Sequence, residues 1–131
     1  MCTFANTTKP PLLEALHHVQ ITVLPEQEEE AYRFYTEVMG LPVLPKPSSL
    51  EGRGGFWCVL GTVQIHVGIE KAIPQTRGKA HLAYAVEDLD AWHAHLSAHG
   101  LQILESIAIP GMERFECRDP FGNRMEFLQL N

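Results

Sequence analysis

The feature that most constrains the fold of this chain is an internal repeat. Twice along the sequence a histidine opens a strand-like run, a helix-like segment follows and ends at a glycine, and three further strand-like runs come after it. The spacing is the same in both copies, since 26 residues separate Gly40 from His66 and also Gly100 from Glu126. Two copies are too few for a solenoid, so we expect two βαβββ units that pack edge to edge.

Alternation of side chains predicts which face of a strand each polar residue occupies. Successive side chains point to opposite faces of a strand. His18 and His81 open the two copies, and both alternate with apolar residues, as do His66 and Glu126 in the last strand of each copy. We therefore expect these four side chains on the faces turned away from the helices, while Tyr84 belongs to the core face.

Helix signals place one helix in each copy. Pro25 and the acidic run after it favour a helix start, and Gly40 suits its end. Asp88 can cap the second helix, which ends at Gly100. The prediction is an α+β fold in which two βαβββ modules form a curved mixed sheet with helices on its convex face. One domain of 131 residues would then comprise a tail at 1–13, module one at about 14–70, a connector at 71–79 and module two at about 80–131.

Composition excludes several classes of function. Hydrophobic residues make up 45% of the chain, enough for a core without disulfides, and the three cysteines show no CxxC spacing. The net charge is −6 and the basic residues are scattered, which argues against a nucleic-acid partner. No apolar run reaches the length of a membrane helix, and the first residues do not resemble a signal peptide. We expect a cytoplasmic protein.

The four repeat-related residues predict a metal site. Neutral imidazole and carboxylate are the usual protein ligands of divalent transition metals, so His18, His66, His81 and Glu126 are candidate ligands. Two histidines and one carboxylate suit Fe(II), whereas the additional histidine favours Zn, Ni, Co or Mn. Glu126 is also the candidate base. Other residues on the same faces are candidate pocket residues. Those predicted to bind substrate are Trp57, Arg114 and Arg124, and the others are Gln20 and Glu116.

Other histidines fit the site less well. His17 alternates to the face opposite His18, so the pair should not supply two ligands to one site. His93, His95 and His99 share the second helix, and a spacing of four residues can bind zinc. No HExxH motif accompanies them, so we interpret them as surface residues.

Five stretches resemble the vicinal oxygen chelate superfamily, also called the glyoxalase/bleomycin resistance/extradiol dioxygenase family. They are LHHVQITV, FYTEVMGLPV, QIHVGIE, AHLAYAVEDLD and DPFGNRMEFLQ, and the resemblance covers about residues 14–130. It implies a glyoxalase-like fold, a homodimer, and metal ligands at His18, His66, His81 and Glu126. His66 stands where glyoxalase I typically has glutamate and methylmalonyl-CoA epimerase usually has glutamine.

The resemblance leaves three functions open. The first is a divalent-metal-dependent enzyme of lyase or isomerase type, whose small substrate chelates the metal through adjacent oxygens. The second is a protein that sequesters a drug or metabolite without turnover. The third is an extradiol-type dioxygenase, because His18, His81 and Glu126 match the ligand set of those enzymes. Each function implies a small-molecule partner.

Overall fold

The computed structural model describes residues 9–74 and 77–131. Parts of the predicted tail and connector, residues 1–8 and 75–76, lie outside this range, as does Cys2. Module one contains β1 (His18–Val23), α1 (Glu28–Arg33), β2 (Val43–Leu44), β3 (Phe56–Leu60) and β4 (Val63–Ile69). Module two contains β5 (His81–Ala85), α2 (Leu89–Ala98), β6 (Leu104–Glu105), β7 (Met112–Arg118) and β8 (Arg124–Leu130). Among the described residues, no helix has both the length and the apolar character needed to cross a bilayer.

The two modules have the same strand topology. The first sheet has the order β1-β4-β3-β2 and the second the order β5-β8-β7-β6. In each, the first and last strands of the module run parallel, and the other pairs are antiparallel. The predicted α+β, glyoxalase-like fold of two βαβββ modules is confirmed. Hydrogen bonds organise the eight strands as two sheets of four.

The first helical segment is longer than α1 and changes its geometry along its length. A 3-10 turn at Pro25–Gln27 precedes α1, and a π-helical turn at Phe34–Val38 follows it. In that wide turn the N–H of Met39 donates to the carbonyl of Phe34, five residues back. Gly40 then takes a positive φ of 73°, which suits the end of a helix. The helix predicted from Pro25 to Gly40 is therefore present.

The core joins both modules. Apolar strand residues alternate into it, and the helices supply the other side, in one connected cluster. Tyr84 is buried there, as the alternation predicts. The least exposed large side chains are Tyr35, Phe127, Leu96, Met125, Val23, Val67, Cys58 and Cys117. Burial raises the pKa of the Cys117 thiol to about 11, so this thiol stays protonated at neutral pH.

A buried carboxylate in the β7–β8 turn ties module two to module one. Asp119 is only 4% exposed, and its Oδ2 accepts a hydrogen bond from the hydroxyl of Tyr35, with 2.5 Å between the two oxygens. It also accepts hydrogen bonds from the backbone N–H groups of Phe121 and Asn123 and from the side-chain amide of Asn123. That amide in turn donates to the carbonyl of Thr22 at 3.1 Å. Burial, and then the charge of Asp119, raise the pKa of Tyr35 well above its usual value.

The loop before β3 approaches the sheet so closely that it needs glycine. Gly55 has a φ of 80°, and a Cβ at this position would overlap the carbonyl oxygen of Val67. Its N–H donates to the carboxylate of Glu28 in α1, so this glutamate is not merely a solvated residue of the first helical turn. The loop is thereby fixed against both the helix and the sheet.

Replacing Gly55 by alanine is expected to lower the free energy of unfolding by about 2 kcal/mol, because the added Cβ meets backbone and φ is positive. The control is Gly52→Ala, since a Cβ there has no neighbour within 4 Å. Urea denaturation of both variants measures the difference. Equal stabilities would contradict the close approach.

Candidate metal and substrate site

Three rings are stacked on the polar face of module one. The ring of His66 lies parallel to that of Trp57, with 4.1 Å between centroids, and to that of His18, with 4.2 Å. The strand register explains both contacts. Trp57 in β3 is the cross-strand partner of His66. In β1 the partner of His66 is Gln20, and His18 precedes Gln20 by two residues, on the same face of the strand. His66 Nε2 lies 2.9 Å from Gln64 Oε1. The face predicted by alternation therefore brings His18, His66 and Trp57 together.

The surroundings of His66 favour the neutral form of its imidazole. Only 5% of the residue is exposed. Burial lowers its pKa below the usual 6.5, and the neighbouring His18 and His17 lower it further. A neutral imidazole is the form that binds a metal.

His17 lies beside His18, although alternation assigns it to the opposite face. The Nδ1 atoms of the two rings are 2.9 Å apart. The carbonyl of His17 still accepts the N–H of Gln64 in β4, so the backbone of His17 lies at the start of the strand pairing. His17 consequently adds a third imidazole near the stack.

On the polar face of module two, a carboxylate is held between two cationic or basic groups. Glu126 is 8% exposed, and its Oε1 lies 3.2 Å from His81 Nε2 and 3.3 Å from Arg114 Nη1. His81 Nδ1 donates to the carbonyl of Lys79 at 2.8 Å, and Nε2 of the same ring faces the carboxylate of Glu126. Ala83 is the β5 partner of Glu126 and leaves this contact unobstructed.

The two arginines of this face bond mainly to protein groups. Arg124 Nη2 donates to both carboxylate oxygens of Glu116 at 2.8 Å. Arg114 donates to the carbonyl of Ile107 and contacts both Glu116 and Glu126. These contacts orient the two carboxylates and balance their charge. Binding of substrate by Arg114 and Arg124 stays a prediction.

The hydrogen bond from Arg124, opposed by burial, holds the pKa of Glu116 below its usual value of 4.5. A depressed folded-state pKa means that the stabilisation is complete above 4.5 and is lost as pH falls through the lower folded value. In a double-mutant cycle of Glu116→Gln and Arg124→Met, we expect a coupling free energy of about 1 kcal/mol at pH 7. Urea unfolding of the four proteins at a series of pH values measures this coupling. It should vanish at the lowest pH values, where Glu116 is protonated. A coupling independent of pH would contradict the ion pair.

The donor chemistry of both faces fits a divalent transition metal. Module one offers the imidazoles of His18 and His66, and module two offers the imidazole of His81 and the carboxylate of Glu126. Within residues 9–74 and 77–131, no group of three or more such donors lies close enough to hold an ion. The four predicted ligands thus form two pairs on two sheets.

Sequence reasoning overlooked two contacts around the site and one contact between the helical segments of the two modules. Gln64 contacts His66, and Lys46 donates to the carbonyl of Gly54 at 2.6 Å near the Trp57 stack. The alternation of β4 already places Gln64 on the face of His66, so the pattern contained that signal. Lys46 lies in a loop, where no periodicity applies. On α2, His95 Nε2 donates to the carbonyl of Val38, across the boundary between modules.

Comparisons with known proteins agree with this architecture. A glyoxalase family protein from Bacillus anthracis is 35% identical with a TM-score of 0.85, over 94% of this chain and all of that one. TnmS3, an antibiotic binding protein from Streptomyces sp. CB03234, is 18% identical with a TM-score of 0.73, over 93% of this chain and all of that one. A lactoylglutathione lyase from Agrobacterium tumefaciens is 20% identical with a TM-score of 0.69, over 92% of this chain and 96% of that one.

No curated protein matches the sequence significantly. The profile of the Glyoxalase/Bleomycin resistance protein/Dioxygenase superfamily matches residues 15–127. This match spans both modules and all four candidate ligands, and it confirms the resemblance carried by the sequence motifs. The chain therefore belongs to the Glyoxalase/Bleomycin resistance protein/Dioxygenase superfamily.

Proposed function

We propose that this protein is a divalent-metal-dependent enzyme of lyase or isomerase type that acts on a small molecule with two adjacent oxygens. The observation that carries the proposal is the pairing of candidate ligands. Each module presents one pair at equivalent register positions, and the members of each pair already touch: His18 with His66, and His81 with Glu126. Polar residues without a common role have no reason to repeat in this way.

The two pairs belong to different four-stranded sheets, so we propose that a second copy of the chain completes the site. In such a homodimer, the His18–His66 pair of one chain faces the His81–Glu126 pair of its partner. A two-fold axis would generate two equivalent sites. Each site would then contain three imidazoles and one carboxylate, a set that suits Zn, Ni, Fe, Mn or Co.

Each residue has a chemical role in this proposal. A bound ion would supply Lewis acidity to the two adjacent oxygens of the substrate. Glu126 accepts a proton from the carbon beside them, and its contact with Arg114 orients the carboxylate for this role. Trp57 provides a flat apolar wall against which the substrate packs. Arg114 and Arg124 keep the carboxylates of this face oriented through the contacts described above.

Metal binding by the purified protein tests this function. After removal of metals and titration with Co²⁺, we expect one ion per chain, with visible absorption typical of imidazole ligands. His66→Ala and Glu126→Ala should each weaken binding by about 100-fold or more. The matched control is His99→Ala, which removes an exposed imidazole at the residue that follows α2. An affinity that neither ligand variant changes would overturn the proposal.

A second candidate function is binding of a small molecule without turnover. It is favoured by the ion pair on the module-two face, where the guanidinium of Arg114 already balances charge on Glu126. An antibiotic binding protein shares this fold. The two functions differ in their response to chelation, because a sequestering protein should keep its thermal midpoint in EDTA. A loss of several degrees in EDTA would support the metal enzyme.

A further inference from the structure

A pocket above the Trp57–His66 stack is bordered by two cationic side chains. It has a volume of about 300 Å³ and lies between strands of the first sheet and the 3-10 segment Ser48–Arg53. The residues that give it its character are Gln20, Lys46, Leu50, Arg53, Trp57 and His66. None of the described residues that line it is acidic. This is a local reversal of charge in a chain whose net charge is −6.

The two cations are held near each other by the loop. Lys46 is half-buried, and its ammonium group donates to the carbonyl of Gly54, the residue that follows Arg53. An ammonium group has three donors, so two remain for a ligand. Arg53 is exposed and forms no ion pair with any described residue. The nearby carboxylate of Glu28 is engaged by the N–H of Gly55.

The rest of the pocket is less polar. Leu50 and the indole of Trp57 line it together, and Gly68 is covered by the side chain of Gln20. A volume of about 300 Å³ is at the small end of ligand pockets and matches a compact metabolite. Paired lysine and arginine donors recognise a carboxylate or phosphate, since both supply charge-assisted hydrogen bonds.

We infer that this pocket binds the anionic end of the substrate, a carboxylate or a phosphate group, through Lys46 and Arg53. The remainder of the molecule packs against Leu50 and Trp57 and extends toward His66. The inference rests on the function proposed above, since it assigns the substrate class of the same site. A positive pocket also draws a small anion toward a protein that otherwise repels it.

Fluorescence of Trp57 reports on occupancy of the pocket. The chain has two tryptophans, so Trp92→Phe leaves Trp57 as the sole reporter. Metal-free protein in this background is titrated with inorganic phosphate, and separately with pyruvate, at constant ionic strength. We expect a saturable change with at least one of these probes. Arg53→Gln and Lys46→Met should each raise the dissociation constant by about tenfold, equivalent to the loss of one charge-assisted bond.

The control is Arg33→Gln, which removes an exposed arginine of α1 that pairs with Glu29. Its titration should match that of the parent. Arg53→Lys keeps the charge and should bind more tightly than Arg53→Gln, which separates a binding role from damage to the loop. A linear response without saturation for both probes, or equal dissociation constants in Arg53→Gln, Lys46→Met and the parent, would overturn the inference.

The outcome is independent of the metal site. Co²⁺ binding to Lys46→Met and Arg53→Gln should equal that of the parent, because neither residue is a candidate ligand. Saturable binding of phosphate or pyruvate by a protein that binds no Co²⁺ would contradict the proposed metal-dependent enzyme and support the anion pocket. Co²⁺ binding without saturable anion binding would support the metal site and contradict the anion pocket.

Discussion

Replacing Asp119 with alanine is expected to lower the free energy of unfolding by about 3–5 kcal/mol. The carboxylate of Asp119 is buried and accepts four hydrogen bonds, one of them from Tyr35 in the other module. Without it, the buried hydroxyl of Tyr35 and the partly buried donors of Asn123 lose their hydrogen-bond acceptor. Urea denaturation followed by circular dichroism measures the change.

Two variants calibrate this result. Tyr35→Phe removes only the hydroxyl donor and should cost about 1.5–3 kcal/mol, since the bond is to a charged group. Asp88→Ala is the matched control, because Asp88 also accepts a backbone N–H, that of Ala91, but at the exposed start of α2. It should cost about 1 kcal/mol. A loss for Asp119→Ala no larger than that for Asp88→Ala would show that the link between modules contributes little.

Mixing two inactive chains is expected to restore metal binding. One chain carries His18→Ala and His66→Ala, and the other carries His81→Ala and Glu126→Ala. Alone, neither should form a site. In a mixed dimer with sites between chains, one of the two sites receives both intact pairs, so random exchange should recover about a quarter of the parent's Co²⁺ sites.

The alternative arrangement predicts a different result. If all four ligands met within one chain, every site in the mixture would lack one pair, and no Co²⁺ binding would return. The control mixes the His18→Ala/His66→Ala chain with itself after the same unfolding and refolding. Co-purification of the untagged chain with an affinity-tagged partner confirms that mixed dimers form. Recovery of binding in the control as well would contradict the assignment of the ligands.

The sequence could predict the face of a side chain only within regular strands. Alternation correctly placed His18, His66, Trp57 and Glu126 on polar faces, because the period of two is a property of the strand backbone. It did not predict that the imidazole of His17 would contact that of His18 at the beginning of β1.

Contacts between distant residues were beyond the reach of the pattern. The DPFGN stretch predicts a turn, but nothing local in it says that Asp119 meets Tyr35, 84 residues away. Likewise, the pattern places two arginines on the face of Glu126 as candidate substrate contacts, but it does not show that their donors also bond to Glu116 and to the carbonyl of Ile107. Such partners are set by how helices and sheets pack together.

The sequence by itself determined the two βαβββ units and the equivalent positions of four candidate ligands, because periodicity and spacing are encoded residue by residue. Only the tertiary structure decided that these ligands form two pairs rather than one cluster. The reason is that strand register fixes neighbours within a sheet, as for His81 and Glu126, whereas the relation between two sheets follows from core packing and from the buried Asp119 link. The same packing brought Lys46 and Arg53 beside Trp57.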